Sequence, residues 1–447
     1  MMLFLKELKK NIFSVSFLVF AVVTVLALYS QGALDFSGDY MTRPEPGGNY
    51  GTKNVEIPEI VMPAALEELW SEFSENRYIT YPIGFIKTIR LNERQQAEMA
   101  EILSLITGED MTVLLQQQKT APENGGGNDS FTIDFDNNGS GSSGEEEGIS
   151  FTVQNDGLSS DPEEESPSPG SSFVPTVRGD MEYSRFKELM QRADDLLGGG
   201  SSYAADTLIG FGAVPLTYEE ALERYELAVI RDKITGGYAR LFSDYAGVMV
   251  LSILPVFLGV SMSLRDRRAK MTELVHVRQI RSAKLILARY CAVVVSIMGF
   301  VILLSYISNA SAWGNYKGAV LDYLAPLKYD LGWLMPQVMV VSALGMLLTE
   351  LTDSPIAIAV QGLWWLMDTN LGYRSVAANY SLLRLSPRHN SGPRSWFRTW
   401  DYLEHFGALM ANRLALVVIS LLLVAGTILI FDAKRKGKIH VKIRFKA

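Results

Sequence analysis

Few residues in this chain have types and spacings suited to chemistry. Asp134, Asp136, Asn138, Gly139 and Glu145 fit D-x-[DN]-x-[DN]-G-x5-E, a spacing at which oxygen ligands can wrap calcium. Their setting argues against it. The eighth loop position, where a bulky apolar residue belongs, is Gly141, and the flanks are acidic Ser/Gly filler rather than helix. Asp134, Asp136, Asn138 and Glu145 therefore read as a solvated loop, with calcium as the alternative. His276, His389, His405 and His440 stand apart in sequence. His389 and His405 could meet in space, but a satisfied structural role suits them better. There is no G-x-x-x-x-G-K-[ST], no H-E-x-x-H, no G-x-S-x-G and no Cys/His cluster. The chain thus carries no ATP-binding motif of its own, no enzyme signature and no expected cofactor. The single cysteine, Cys291, lies in an apolar run. That excludes an internal disulfide and predicts a small buried hydrophobe.

The elements that must hold these residues are set by how the apolar residues cluster. Of 447 residues, 48% are hydrophobic, and they gather in blocks long enough to cross a membrane as helices. Six blocks stand out, at about 11–30, 241–264, 286–308, 331–351, 355–371 and 414–431. The first follows Lys6, Lys9 and Lys10 and resembles a signal peptide, but it is long for one and is read as an uncleaved span. Pro255 and Pro336 fall inside blocks, which predicts kinked helices in a packed bundle. A proton- or ion-coupled carrier would hold a carboxylate near mid-membrane. Asp244, Glu350, Asp353 and Asp368 lie near block ends instead and read as interfacial or capping groups. The expected fold class is an all-α polytopic membrane protein with six transmembrane helices and a mainly helical extracytoplasmic domain between the first and second.

Basic residues in short flanking segments set the orientation. They mark the N-terminus, the segment Arg265 to Arg289 (with Arg267, Arg268, Lys270, Arg278, Arg281 and Lys284) and the tail. The tail holds Lys434, Arg435, Lys436, Lys438, Lys442, Arg444 and Lys446. Six spans with both termini in the cytoplasm place all three inside. One segment dissents, the loop carrying Arg374, Arg384, Arg388, Arg394 and Arg398. Residues 31–240 then lie outside, and there acids outnumber bases by more than two to one. Within them, Leu66, Leu69, Trp70 and Phe73 share one helical face, and Met99, Ile102, Leu103 and Ile106 another. Residues 120–172 are Gly, Ser, acid and Pro, too polar to offset their ordering entropy, and are expected to be disordered. Helical pattern resumes at Met181–Leu197 and Tyr218–Lys233.

The segment from Leu264 to Ser296 is the most informative. Met271, Leu274, Val275 and Val277 support a short amphipathic helix on the membrane surface, with a turn at Arg278–Arg281 into the next span. Here the chain resembles the ABC-2 family of ATP-binding-cassette transporter permeases. Asp266, Lys270, Glu273-Leu274, the Arg278-Gln279-Ile280-Arg281 turn and the basic residues Lys284 to Arg289 occupy the family's places after the second span. Gln279 stands where the family often has proline. A large exterior insert between spans one and two is a known variant of the family.

The resemblance implies a permease subunit that exports a substrate across the plasma membrane of a Gram-positive bacterium. Two six-helix halves would pair, as a homo- or heterodimer, and each would engage a separate ATPase subunit that uses the ATP. Asp266, Arg267, Arg268, Lys270, Glu273, Leu274, Arg278 and Arg281 would couple this chain to that ATPase. Besides that subunit and the second half, the expected partner is membrane lipid, and nothing marks a nucleic-acid surface. Two other readings stay open: a non-transporting sensor or scaffold with an extracytoplasmic binding domain, and an intramembrane enzyme. The latter suffers from the lack of paired mid-span polar groups.

Overall fold

The computed structural model describes residues 2–38, 41–81, 86–120, 173–316, 318–370, 381–387 and 398–438. The calcium-like pattern at Asp134, Asp136, Asn138 and Glu145 lies outside them. So do residues 121–172 of the acidic insert, His389, His440, Arg374, Arg388, Arg394, Lys442, Arg444 and Lys446.

The chain opens with α1 (Met2–Ile12), which meets α2 (Val15–Ser30) at a bend of 60°. The expected single run from Asn11 is thus two helices. Ser14 breaks it: its Oγ accepts the Phe17 N–H at 3.1 Å and caps α2. The inner face of α1 is polar, with Glu7 and Asn11 buried, while Met2 and Leu5 are exposed.

A polar domain follows. It comprises β1 (Thr52–Asn54), α3 (Pro58–Glu75), β2 (Tyr78–Thr80), β3 (Lys87–Ile89), α4 (Glu93–Thr107), α5 (Met111–Thr120), α6 (Tyr183–Leu196), β4 (Ala213–Pro215) and α7 (Tyr218–Ile230). It is mainly helical but not all-α. β1 pairs antiparallel with β4, and β2 with β3. The two faces expected from periodicity are both in its core: Leu66, Leu69, Trp70 and Phe73 of α3 pack with Met99, Ile102, Leu103 and Ile106 of α4 and with Phe186 and Leu189 of α6. Two helices begin with capping boxes, Asn92 with Gln95 and Thr217 with Glu220.

The apolar bundle is built from α8 (Thr235–Tyr245), α9 (Pro255–Arg268), α10 (Thr272–Val277), α11 (Ser282–Trp313), α12 (Ala325–Tyr329), α13 (Met335–Thr352), α14 (Ala357–Asn370), α15 (Thr399–Glu404) and α16 (Phe406–Arg435). Among the described residues, three helices are long and apolar enough to cross a membrane: α11, the continuous run Ala325–Thr352, and α16. There are five if each bent pair counts as one span, α1 with α2 and Thr235–Leu251 with α9. At 14 residues, α14 is about 21 Å long, short of a hydrocarbon core of about 30 Å.

Each proline expected to kink a span follows a π-helical turn. Ala246–Leu251 precedes Pro255 and a bend of 45°, and Asp330–Leu334 precedes Pro336. The Gln337 amide joins the two breaks, donating to the Gly247 carbonyl at 2.8 Å and the Ser252 hydroxyl at 2.7 Å. Cys291 is exposed on the outer face of α11, not buried. In a membrane helix both faces are apolar, so apolar neighbours do not distinguish the packed side from the lipid side.

Candidate functional site

The segment singled out by sequence forms an elbow at one end of the bundle. Helix α9 stops because Lys270 adopts a left-handed conformation (φ 53°) and the Met271 N–H reaches back to the Asp266 carbonyl at 2.8 Å. That is a Schellman stop, made with lysine where glycine is usual. The short α10 follows. The Ile280 N–H then donates to the Arg278 carbonyl at 2.8 Å, a tight turn around Gln279 that delivers the chain into α11.

The predicted site residues divide into two groups. Asp266 and Arg267 face inward: Asp266 receives Arg289 of α11 at 2.5 Å, and Arg267 pairs with Asp353 at the end of α13. Arg268, Lys270, Glu273, Leu274, Arg278 and Arg281 are exposed, and their side chains have no ion-pair partner among the described residues. Met271 and Val277 are exposed beside them. The elbow therefore presents mixed charge and apolar surface outward.

What holds the elbow was not read from sequence. The Arg435 guanidinium, at the end of α16, donates to three elbow carbonyls: His276 at 2.8 Å, Ile280 at 2.5 Å, and Arg278. Ser282 donates to Asp432 at 2.8 Å. Glu7 of α1 pairs with Arg265, and Lys434 pairs with Asp353 and, at 3.6 Å, with Glu350. Five helices are thus tied to one short segment. Glu7 was a signal, as the lone acid among three lysines, and Asp432 was another, as the last acid before a basic tail.

His276 fixes α10 to α16, its ring edge-on to Phe431 with centroids 5.4 Å apart. Burial, and then the nearby Arg435 charge, push its pKa below the ordinary 6.5. The undocked segment therefore binds the proton more readily than the docked one. The contribution of His276 to docking is fully present above about pH 6.5 and is lost as pH falls toward the lowered value. A spin label at Val277, in a Cys291→Ser background, will gain mobility between about pH 7.5 and about pH 5.5. His276→Gln will abolish that change.

The bundle interior holds charges that block-end positions did not reveal. Arg240 is fully buried and forks onto Asp232, with the Tyr329 hydroxyl at 2.8 Å and Thr399 Oγ1 at 3.1 Å. Its guanidinium also stacks over Tyr402 at 4.5 Å. Beside it lies a cavity of about 350 Å³ lined by Tyr329, Trp333, Tyr402 and Phe406 with Arg231 and Lys328. Arg413 is buried among backbone carbonyls, reaching Trp333 at 2.8 Å and Leu385 at 2.9 Å. Asp368 accepts the Leu385 and Ser386 N–H groups at 2.9 and 3.2 Å, so it holds a loop in place. His405 Nδ1 lies 3.0 Å from the Asp401 carbonyl, a structural role as expected.

No protein family, no curated protein and no solved structure matches this chain.

Proposed function

We propose that this chain is the membrane-spanning permease subunit of an ATP-binding-cassette exporter, working with a separate ATPase subunit and a second permease half. In this reading the bent pairs are spans one and two, and α14 is a short fifth span. Both termini and the elbow face the cytoplasm of a bacterial cell, and the polar domain stands outside. The supporting observation is the elbow itself. Its outward side chains (Arg268, Lys270, Glu273, Leu274, Arg278 and Arg281) are exposed, while its backbone is clamped by Arg435 to the last helix. A coupling element needs that combination, a free face for a partner and a stiff connection to the helices that must move. ATP-driven closure of the ATPase would push α10 and be carried into α9 and α11.

The test is co-expression with an ATPase that has a phosphate loop. The two proteins should co-purify. Glu273→Lys and Arg268→Glu should lower permease-stimulated ATP hydrolysis at least about tenfold by like-charge clash. The melting midpoint should stay level, because both side chains are solvent-exposed. Unchanged binding and unchanged stimulation in both variants would sink the proposal and favour the sensor or scaffold reading.

A further inference from the structure

We infer that Asp330, with Ser305 and Asn309, forms a proton-binding site inside the bundle. Asp330 opens the π-helical turn that joins α12 to α13, and it is 0% exposed. Among the described residues, neither carboxyl oxygen has a hydrogen-bond partner. It faces Ser305 of α11, which is also 0% exposed and whose hydroxyl makes no hydrogen bond of good geometry among the described residues. One turn on, Asn309 donates its amide N–H to the Ser305 carbonyl at 2.8 Å, and its own Oδ1 has no partner among the described residues. Three acceptor oxygens, the two of Asp330 and Oδ1 of Asn309, are thus buried beside a single hydroxyl, that of Ser305, which can donate to only one of them.

A carboxylate there would be an uncompensated charge, which costs several kcal/mol even after relaxation. The elements packed against the turn are α8, α11, α12, α13 and the 246–251 turn. Their ionisable and charged groups are Tyr238, Arg240, Asp244 and Tyr245 of α8, Arg289, Tyr290, Cys291, Tyr306 and Lys284 of α11, Lys328 and Tyr329 of α12, and Glu350 of α13. None forms an ion pair or hydrogen bond with Asp330. Arg240 is committed to Asp232, Lys328 to Asp322 and Glu350 to Lys434. A single proton resolves the arrangement. It turns one Asp330 oxygen into a donor for the Ser305 or Asn309 oxygen and removes the charge. A monovalent metal ion would need room and more ligands. Release breaks the carboxyl O–H bond, passes the proton to water and leaves the carboxylate, so it requires the turn to part from α11 and admit solvent. Proton occupancy and closure of this helix pair are therefore linked. This does not depend on the transport reading.

The full chain, labelled with 13C at the aspartate carboxyl and held in lipid nanodiscs, should show a protonated aspartic-acid carbonyl band in the infrared at neutral pH. Asp330→Asn should remove the band and Asp244→Asn should keep it. In Asp330→Glu the band should persist but lose its sensitivity to the label, which covers the case where the asparagine variant does not fold. No protonated aspartic-acid band in the wild type overturns the inference, as does a band that survives Asp330→Asn. So does a band that sodium abolishes where choline does not, since the occupant would then be a metal ion.

Discussion

Replacing Arg240 by methionine will cost the bundle about 3–5 kcal/mol, because it strands Asp232 as a buried charge. The packing change is smaller. Methionine fills much of the same space, and the lost stacking on Tyr402 accounts for about 2 kcal/mol. The desolvated carboxylate decides the outcome: its remaining side-chain partner among these residues is Thr399, which donates at 2.7 Å. The double variant Arg240→Met with Asp232→Leu should therefore recover most of the loss, since replacing both members of a buried pair by apolar groups is often neutral. Arg240→Lys should fall between, keeping a charge but losing the two-pronged geometry. Melting in nanodiscs, followed through Trp333 beside the cavity, would measure all three. A double variant no better than the single would show that packing, not charge, is what Arg240 supplies.

Why this pair escaped the sequence has a physical answer. Arg240, Asp330 and Arg413 each sit at or just outside the edge of an apolar block, where water and head groups are the default surroundings. Their burial comes from contacts across the chain, such as Arg240 to Thr399, 159 residues away. No local period encodes such a contact. What periodicity does encode came through. α11, Ala325–Thr352 and α16 are long apolar runs, and the inward faces of α3 and α4 hold the residues their spacing selects. The elbow was legible as a cluster of charge and as a turn. Its clamp was not, because the Arg435 donors meet backbone carbonyls, and a carbonyl has no sequence signature. Cys291 illustrates the opposite limit. An apolar run gives its length but not which side meets lipid.

A second large effect is expected where α9 crosses α13. A Cβ added at Gly259 would lie 2.6 Å from the Ser342 carbonyl oxygen, and one at Gly345 would lie 2.9 Å from the Val256 carbonyl oxygen. The two glycines thus let each backbone approach the other, and the obstacles are main-chain atoms that cannot rotate away. Within lipid there is no hydrophobic gain from association, so close packing through small residues supplies much of the cohesion. Gly259→Ala should cost about 1–3 kcal/mol and Gly259→Val more, since the larger side chain must push α13 off. Gly299, in α11, is the control, because a Cβ there meets nothing within 4 Å. Gly299→Ala should be neutral or gain up to about 1 kcal/mol from helix propensity. Helix α9 ends in the elbow, so wedging it from α13 should also loosen the Arg267–Asp353 pair that joins the two helices. A spin label at Val277 should then gain mobility in Gly259→Val but not in Gly299→Ala. Equal stability and equal mobility in the two variants would mean that the helices can repack apart at no cost, and that the elbow is held by Arg435 alone.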